Sequence, residues 1–201
     1  MKTLYIERST GECRDGKWVE ALDLEGVERI VVGTGPGSFA GIRSALAFAQ
    51  GYALATSCEV LGLPSACACA AQAFLSSAPI TNHQSPSTKH QAPGTKLAVV
   101  GDARQGKIWV ALFAGFRLEK DVFQVNQSDL KGTVPADCAV TTPDAKRIEG
   151  FLRDTFGDRY LGGQTPTADG LRLFAEACPD ILKPEPLPIY LNPAVRGVSG
   201  N

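Results

Sequence analysis

The stretch whose residue types come closest to a chemical device is Gly33-Thr-Gly-Pro-Gly-Ser38, followed by Phe39, Ala40, Gly41, Ile42 and Arg43. Glycines at a strand-to-helix junction leave backbone N–H groups uncovered, and those groups can hold an anion at a helix start. Ser38 would cap that helix and Arg43 would stand one turn further on. The standard motifs are nonetheless missing. There is no third glycine of a dinucleotide turn and no Gly-Lys-Ser/Thr, and Ser38 has Pro36 and Ala40 where a nucleophile elbow needs glycines. The plainer alternative is that Gly35, Gly37 and Gly41 serve a tight turn and the close approach of another element. A second polar cluster, Asp102, Arg104 and Gly106, occupies a turn between two apolar runs. There a carboxylate and a guanidinium two residues apart form a local pair or meet a partner.

Other chemistries find little to use. The chain has two histidines, His83 and His90, and both fall in the Ser/Pro/Thr/Gln-rich stretch 77–95, whose composition predicts a mobile segment. A histidine base or ligand needs a rigid supporting shell, so triads and histidine-bound metals are not expected. Six cysteines, at 13, 58, 67, 69, 138 and 178, include no Cys-x-x-Cys pair and read as small buried apolar residues. Neither a metal nor a cofactor is expected. A net charge of -1 over 201 residues provides no basic field for binding nucleic acid unaided. The N-terminal apolar run is too short for a signal sequence and no stretch suits a membrane span, so the expectation is a cytoplasmic protein.

The elements that must position these residues are legible in outline. The run from Glu28 to Gly33 reads as a strand, and the alanine-rich run behind the glycine turn reads as a helix from about Phe39 to Ser57. A short strand at 59–61 and a second helix at 65–76 follow. Thr3–Ile6 and Lys17–Leu22 predict the two strands of a hairpin. Lys96–Gly101 and Lys107–Phe113 predict another, with strand character near 122–125, helices near 144–156 and 167–178, and an edge strand or extended tail over Pro186–Leu191. Two lobes are expected, 1–95 and 96–201. After Arg43 the next charge is Glu59, and after that Lys89. Two successive helices so poor in charge are made to be covered, by a partner or by the chain's own second layer. The partner reading assigns the contact to Ala45, Leu46, Ala49, Tyr52 and Ala53, and predicts that Ala49→Glu or Ala53→Glu breaks association in a folded monomer.

Gly35-Pro-Gly-Ser-Phe-Ala-Gly-Ile-Arg43, then Asp102-Ala-Arg-Gln-Gly-Lys-Ile-Trp109, then Glu185-Pro-Leu-Pro-Ile-Tyr-Leu191 resemble, in this order, the motifs of the TsaB (YeaZ) family of bacterial tRNA threonylcarbamoyladenosine biosynthesis proteins. The resemblance implies an α/β fold of the actin-like ATPase kind, ribonuclease H-like, with mixed sheets flanked by helices. It also implies a non-catalytic scaffold that pairs with the catalytic paralogue TsaD, is joined by the ATPase TsaE, meets tRNA only through the complex, and forms a homodimer alone. This chain departs from the family pattern. Only about twenty residues separate Thr10 from Glu28, which predicts a shortened N-terminal lobe without the family's first helix; Ala40 replaces a threonine, and Asn192 follows Tyr-Leu where arginine is usual.

Three function classes follow: the scaffold, a nucleotide- or phosphate-binding enzyme built on Gly33–Ser38, and a metallopeptidase. The last is disfavoured by the scarcity of histidine.

Overall fold

The computed structural model describes residues 1–10, 17–76 and 95–191. In chain order it contains β1 (Lys2–Ile6), β2 (Val27–Gly33), α1 (Phe39–Thr56), β3 (Glu59–Leu63), α2 (Ser65–Ser76), β4 (Lys96–Arg104) and β5 (Lys107–Ala114). There follow β6 (Arg117–Asn126), α3 (Leu130–Thr133), β7 (Ala139–Thr142), α4 (Ala145–Phe156), β8 (Tyr160–Gly163), α5 (Ala168–Ala177) and β9 (Lys183–Pro184). The strands make two mixed sheets, one ordered β1-β2-β3-β9 and the other β6-β5-β4-β7-β8. The expected α/β class with mixed sheets flanked by helices is what forms.

Ile30, Val31 and Val32 are each at most 1% exposed, because β2 sits between parallel neighbours with helices on both faces. On one face α1 contributes Ile42, Ala45, Leu46 and Ala49 to a core with Ile6, Val27, Ile30 and Val32. On the other face lie α2 and α5. Their far side meets Leu97, Val99, Trp109, Ala111 and Phe113 of the second sheet. The remaining face of that sheet packs Ala98, Val100, Val110 and Val140 against Leu130 of α3 and Ile148, Leu152 and Phe156 of α4. The layers therefore run α1, sheet, α2 with α5, sheet, α4.

α2 is the shared centre. Residues Ser65–Ala71 and Ala73 are all buried, and small alanine and cysteine side chains let two sheets and a helix close on it. A Cβ on Gly170 of α5 would collide with the Ala68 carbonyl, so the glycine permits that crossing. This corrects one expectation: α2, taken with α1 as a partner surface, is covered by its own chain.

The N-terminal hairpin is a second correction. β1 pairs parallel with β2, and residues 17–19 form a 3-10 turn. Trp18 and Leu22 pack on the α1 core, with Trp18 edge-on to Phe48 at 5.5 Å. Among the described residues no helix but this turn lies between β1 and β2. The Lys96–Phe113 hairpin forms as expected, and Arg104, Gln105 and Gly106 turn with positive φ. β7 and β8, four residues each, have no counterpart in the sequence reading. The stretch 77–94, with both histidines, lies outside the described residues, as does Cys13. The other cysteines are free, with Cys67, Cys69 and Cys138 buried.

Candidate functional site

The carboxyl ends of β1, β2, β4, β7 and β8 open on one cleft of about 1050 Å³ between the sheets. This is the place where α/β sheets keep ligands. Its walls join segments distant in sequence: Glu7–Thr10 after β1, Pro36–Phe39 of the glycine turn, Asp102–Arg104, Thr142–Arg147, Gly163–Thr165 and Ile189–Leu191. Parts of all three motifs thus meet. Gly35, Gly41, Arg43 and Gly106 stand outside the lining.

The glycine turn is welded into its surroundings. Ser38 caps α1, its Oγ accepting from Gly41 N–H at 3.3 Å, as the sequence predicts. Thr34 N–H donates to the Leu63 carbonyl, Gly35 N–H to Ser65 Oγ at 3.0 Å, Ser38 N–H to the Ser9 carbonyl, and Ile42 N–H to the Ser38 carbonyl. Gly35 has φ +97°, and a Cβ on Gly37 would strike Ser9. The Thr34, Gly35 and Ser38 amides therefore join β2 to β3, to the start of α2 and to the β1 loop. The tight-turn reading accounts for these glycines. Arg43 does not assist an anion here, since it lies over the Phe39 ring at 4.9 Å and faces away from the cleft.

The opposite wall carries a linked set of charges. Asp102 Oδ1 accepts from Arg104 N–H at 2.8 Å, and its Oδ2 lies 3.4 Å from Arg104 Nη1 and 3.8 Å from Arg147 Nη1. Asp102 N–H in turn donates to Asp144 Oδ2 at 3.0 Å, and Asp144 N–H to Thr142 Oγ1 at 3.0 Å. Burial, and secondarily the Asp102 charge, pushes the Asp144 carboxyl above the usual range, against the hydrogen bond from Asp102 and the pull of Arg147. Across the cleft, burial likewise raises Glu7, whose Oε1 accepts from Ser9 N–H at 2.6 Å. Sequence reasoning missed Glu7, Asp144 and Arg147. Asp144 carried a weak signal, Thr-Pro-Asp ahead of a helix, but its bond to a residue 42 positions earlier did not.

Among the described residues no histidine or cysteine lines the cleft, and no group of three or more His, Cys, Asp or Glu side chains could hold a metal. The arrangement can bind and orient by shape and hydrogen bonds. On the second wall Asp102 pairs with Arg104 and Arg147.

Outside the cleft, α1 presents a second surface. Ala45, Leu46 and Ala49, expected to meet a partner, are 0%, 4% and 0% exposed and belong to the chain's own core. Tyr52 is half-buried with its hydroxyl donating to the Leu24 carbonyl at 2.9 Å, and Ala53 is half-buried. The exposed stripe is the complementary one: Ala40, Arg43, Ala47, Gln50, Gly51 and Leu54. Leu54 is 90% exposed. Beside this stripe a groove of about 500 Å³ runs between Arg43, Ala47 and Gln50 and the extended residues Pro186–Pro188 and Tyr190. The tail is irregular there, so the edge strand is confined to Lys183–Pro184.

Residues 20–116 match the family model described as TsaD: tRNA N6-adenosine threonylcarbamoyltransferase. Among solved structures, YeaZ from Pseudomonas aeruginosa superposes with a TM-score of 0.59 at 18% identity, over 86% of this chain and 78% of that one. The chain has the YeaZ fold. A second structure, described as an uncharacterized protein with similarity to peptidase YeaZ from Pseudomonas aeruginosa, gives a TM-score of 0.61 at 20% identity, over 89% of this chain and 80% of that one. No curated protein matches the sequence. Within this YeaZ-like, actin-like architecture the family-matched stretch holds the first two motifs, whereas Asp144, Arg147 and Tyr190 lie beyond it. Among the described residues no helix is long and apolar enough to cross a membrane.

Proposed function

We propose that this chain is the non-catalytic partner of a TsaD-type transferase in the formation of threonylcarbamoyladenosine in tRNA, and that it docks through the outer stripe of α1. The observation that carries the reading is the pairing of two features. In the cleft at the strand ends the Ser38 N–H is bound to the Ser9 carbonyl, and the Asp102, Arg104 and Arg147 charges are paired. Meanwhile α1 leaves Ala47, Gly51 and Leu54 uncovered, with Arg43 its one charge. Small side chains permit close helix approach with little loss of rotamer entropy, and Leu54 supplies the apolar area that association removes from water. The family match over residues 20–116 and the YeaZ fold supply the pathway. A TsaE-like ATPase and tRNA join through that assembly, and a homodimer through the same stripe is the form expected in its absence.

Co-expression with the TsaD-type protein of the same cell tests this. Co-purification is expected, with reconstituted tRNA modification dependent on this chain, and Leu54→Glu should weaken the pairing about tenfold or more while thermal unfolding is unchanged. Independent elution of the two folded proteins would sink the proposal. The cleft's size and position at the strand ends favour a second reading, nucleotide binding. Calorimetric titration with ATP and magnesium, abolished by Gly37→Glu, would support it, and a flat titration removes it.

A further inference from the structure

Residues 183–191 connect the two sheets across the mouth of the cleft. β9 pairs antiparallel with β3, Leu61 opposite Pro184 and Gly62 opposite Lys183. Pro186 then packs on bare Gly62, where a Cβ would come within 2.6 Å of its ring. Ile189 N–H donates to the Thr34 carbonyl at 2.8 Å, still on the first sheet. Two residues later the chain has changed sheets: the Leu191 carbonyl accepts from Gln124 Nε2 of β6 at 2.6 Å, and the Leu191 side chain joins the central core. Lys183 Nζ also reaches Asp121 of β6 at 3.3 Å. Between the two anchorages Tyr190 leans on Phe39 with ring centroids 5.5 Å apart. Among the described residues Phe39 and Tyr190 are the two that line both the cleft and the groove on α1. Phe39 is the first residue of α1, so this ring pair connects the start of that helix to the strap.

We propose that residues 186–191 are an interlobe latch, which sets the opening of the cleft and is held shut by Tyr190 on Phe39 and by Gln124 on the Leu191 carbonyl. Leu187 and Tyr190, 77% and 50% exposed, keep it close to solvent, and residues 185–191 lack a continuous ladder of backbone bonds. Few local bonds and much exposure are the marks of a segment that opens at low cost while the core stays folded. The inference concerns access to the cleft and does not depend on which partner docks on α1.

Trp109 offers a direct reporter, because it lines the cleft and the other tryptophan, Trp18, can be replaced by Phe. In the full-length Trp18→Phe protein, the added pair Tyr190→Ala and Gln124→Ala should raise acrylamide quenching of Trp109 several-fold. Amide exchange at residues 7–10, 34–38 and 142–146 should accelerate about tenfold with α2 unchanged. Tyr190→Phe keeps the ring contact and should behave as the parent. Unchanged quenching and exchange would overturn the latch. So would exchange that rises equally in α2, since that marks a merely structural segment.

Discussion

Glu7 illustrates how little of a residue's behaviour its type foretells. The sequence reading gave it no role, whereas its carboxyl is enclosed at the end of β1 and burial raises its pKa. A carboxyl that holds its proton more tightly folded than unfolded contributes stability that is fully present below the ordinary carboxylate range and is lost as pH rises toward the folded value. Glu7→Gln removes that dependence while preserving an acceptor for Ser9 N–H. Thermal melts should find the variant level with the parent at low pH and more stable at neutral pH, by roughly 1.4 kcal/mol for each pH unit of displacement. A variant less stable at neutral pH would mean that the ionised carboxylate is held favourably by its neighbours. Asp102 and Arg104 were legible as a local pair because they are two apart. Arg147 and Asp144 completed the set only when β4 and β7 became parallel neighbours.

At the scale of elements, α1 was legible in its length and in its Ser38 cap, and α5 in its Thr167 cap, whose hydroxyl accepts from Gly170 N–H at 3.0 Å. Which side of α1 faces inward was not legible. Alanine occupies both stripes, Ala45 and Ala49 on one and Ala40 and Ala47 on the other, so hydropathy gave no direction. The consequence reverses a mutational expectation. Ala49→Glu should not yield a folded monomer: a carboxylate driven into the core against Ile30 and Val32 costs several kcal/mol, visible as loss of a cooperative melt. Leu54→Glu, four-fifths of a helical turn from Gly51 on the open stripe, should change stability by less than about 0.5 kcal/mol. If Ala49→Glu melts like the parent, the packing of α1 described above is wrong. The misread strand at 17–22 and the unread β7 and β8 have related causes. A strand of four or five residues is defined by its neighbours in the sheet, and Tyr160-Leu-Gly-Gly163 has almost no β character of its own.

For the molecule as a whole, the decisive feature is that α2 and α5 form one layer shared by both sheets. Two halves that share their central layer lose their cores together, so unfolding should be a single event even though the sequence suggests two lobes. Trp18 reports on the α1 side of the first sheet and Trp109 on the second sheet. Single-tryptophan variants followed in urea should give coincident midpoints, and separated midpoints would show that each half stands alone.

The sequence by itself determined the α/β class, the strand-turn-helix junction with its cap and the β4–β5 hairpin, because those follow from short-range periodicity and residue type. Tertiary structure alone decided that three motifs meet at one cleft, that Arg147 and Asp144 join the Asp102–Arg104 pair there, that α2 is interior, and that the tail crosses from sheet to sheet. Each of these is a contact between residues tens of positions apart, and local patterning has no term for the partner that burial selects.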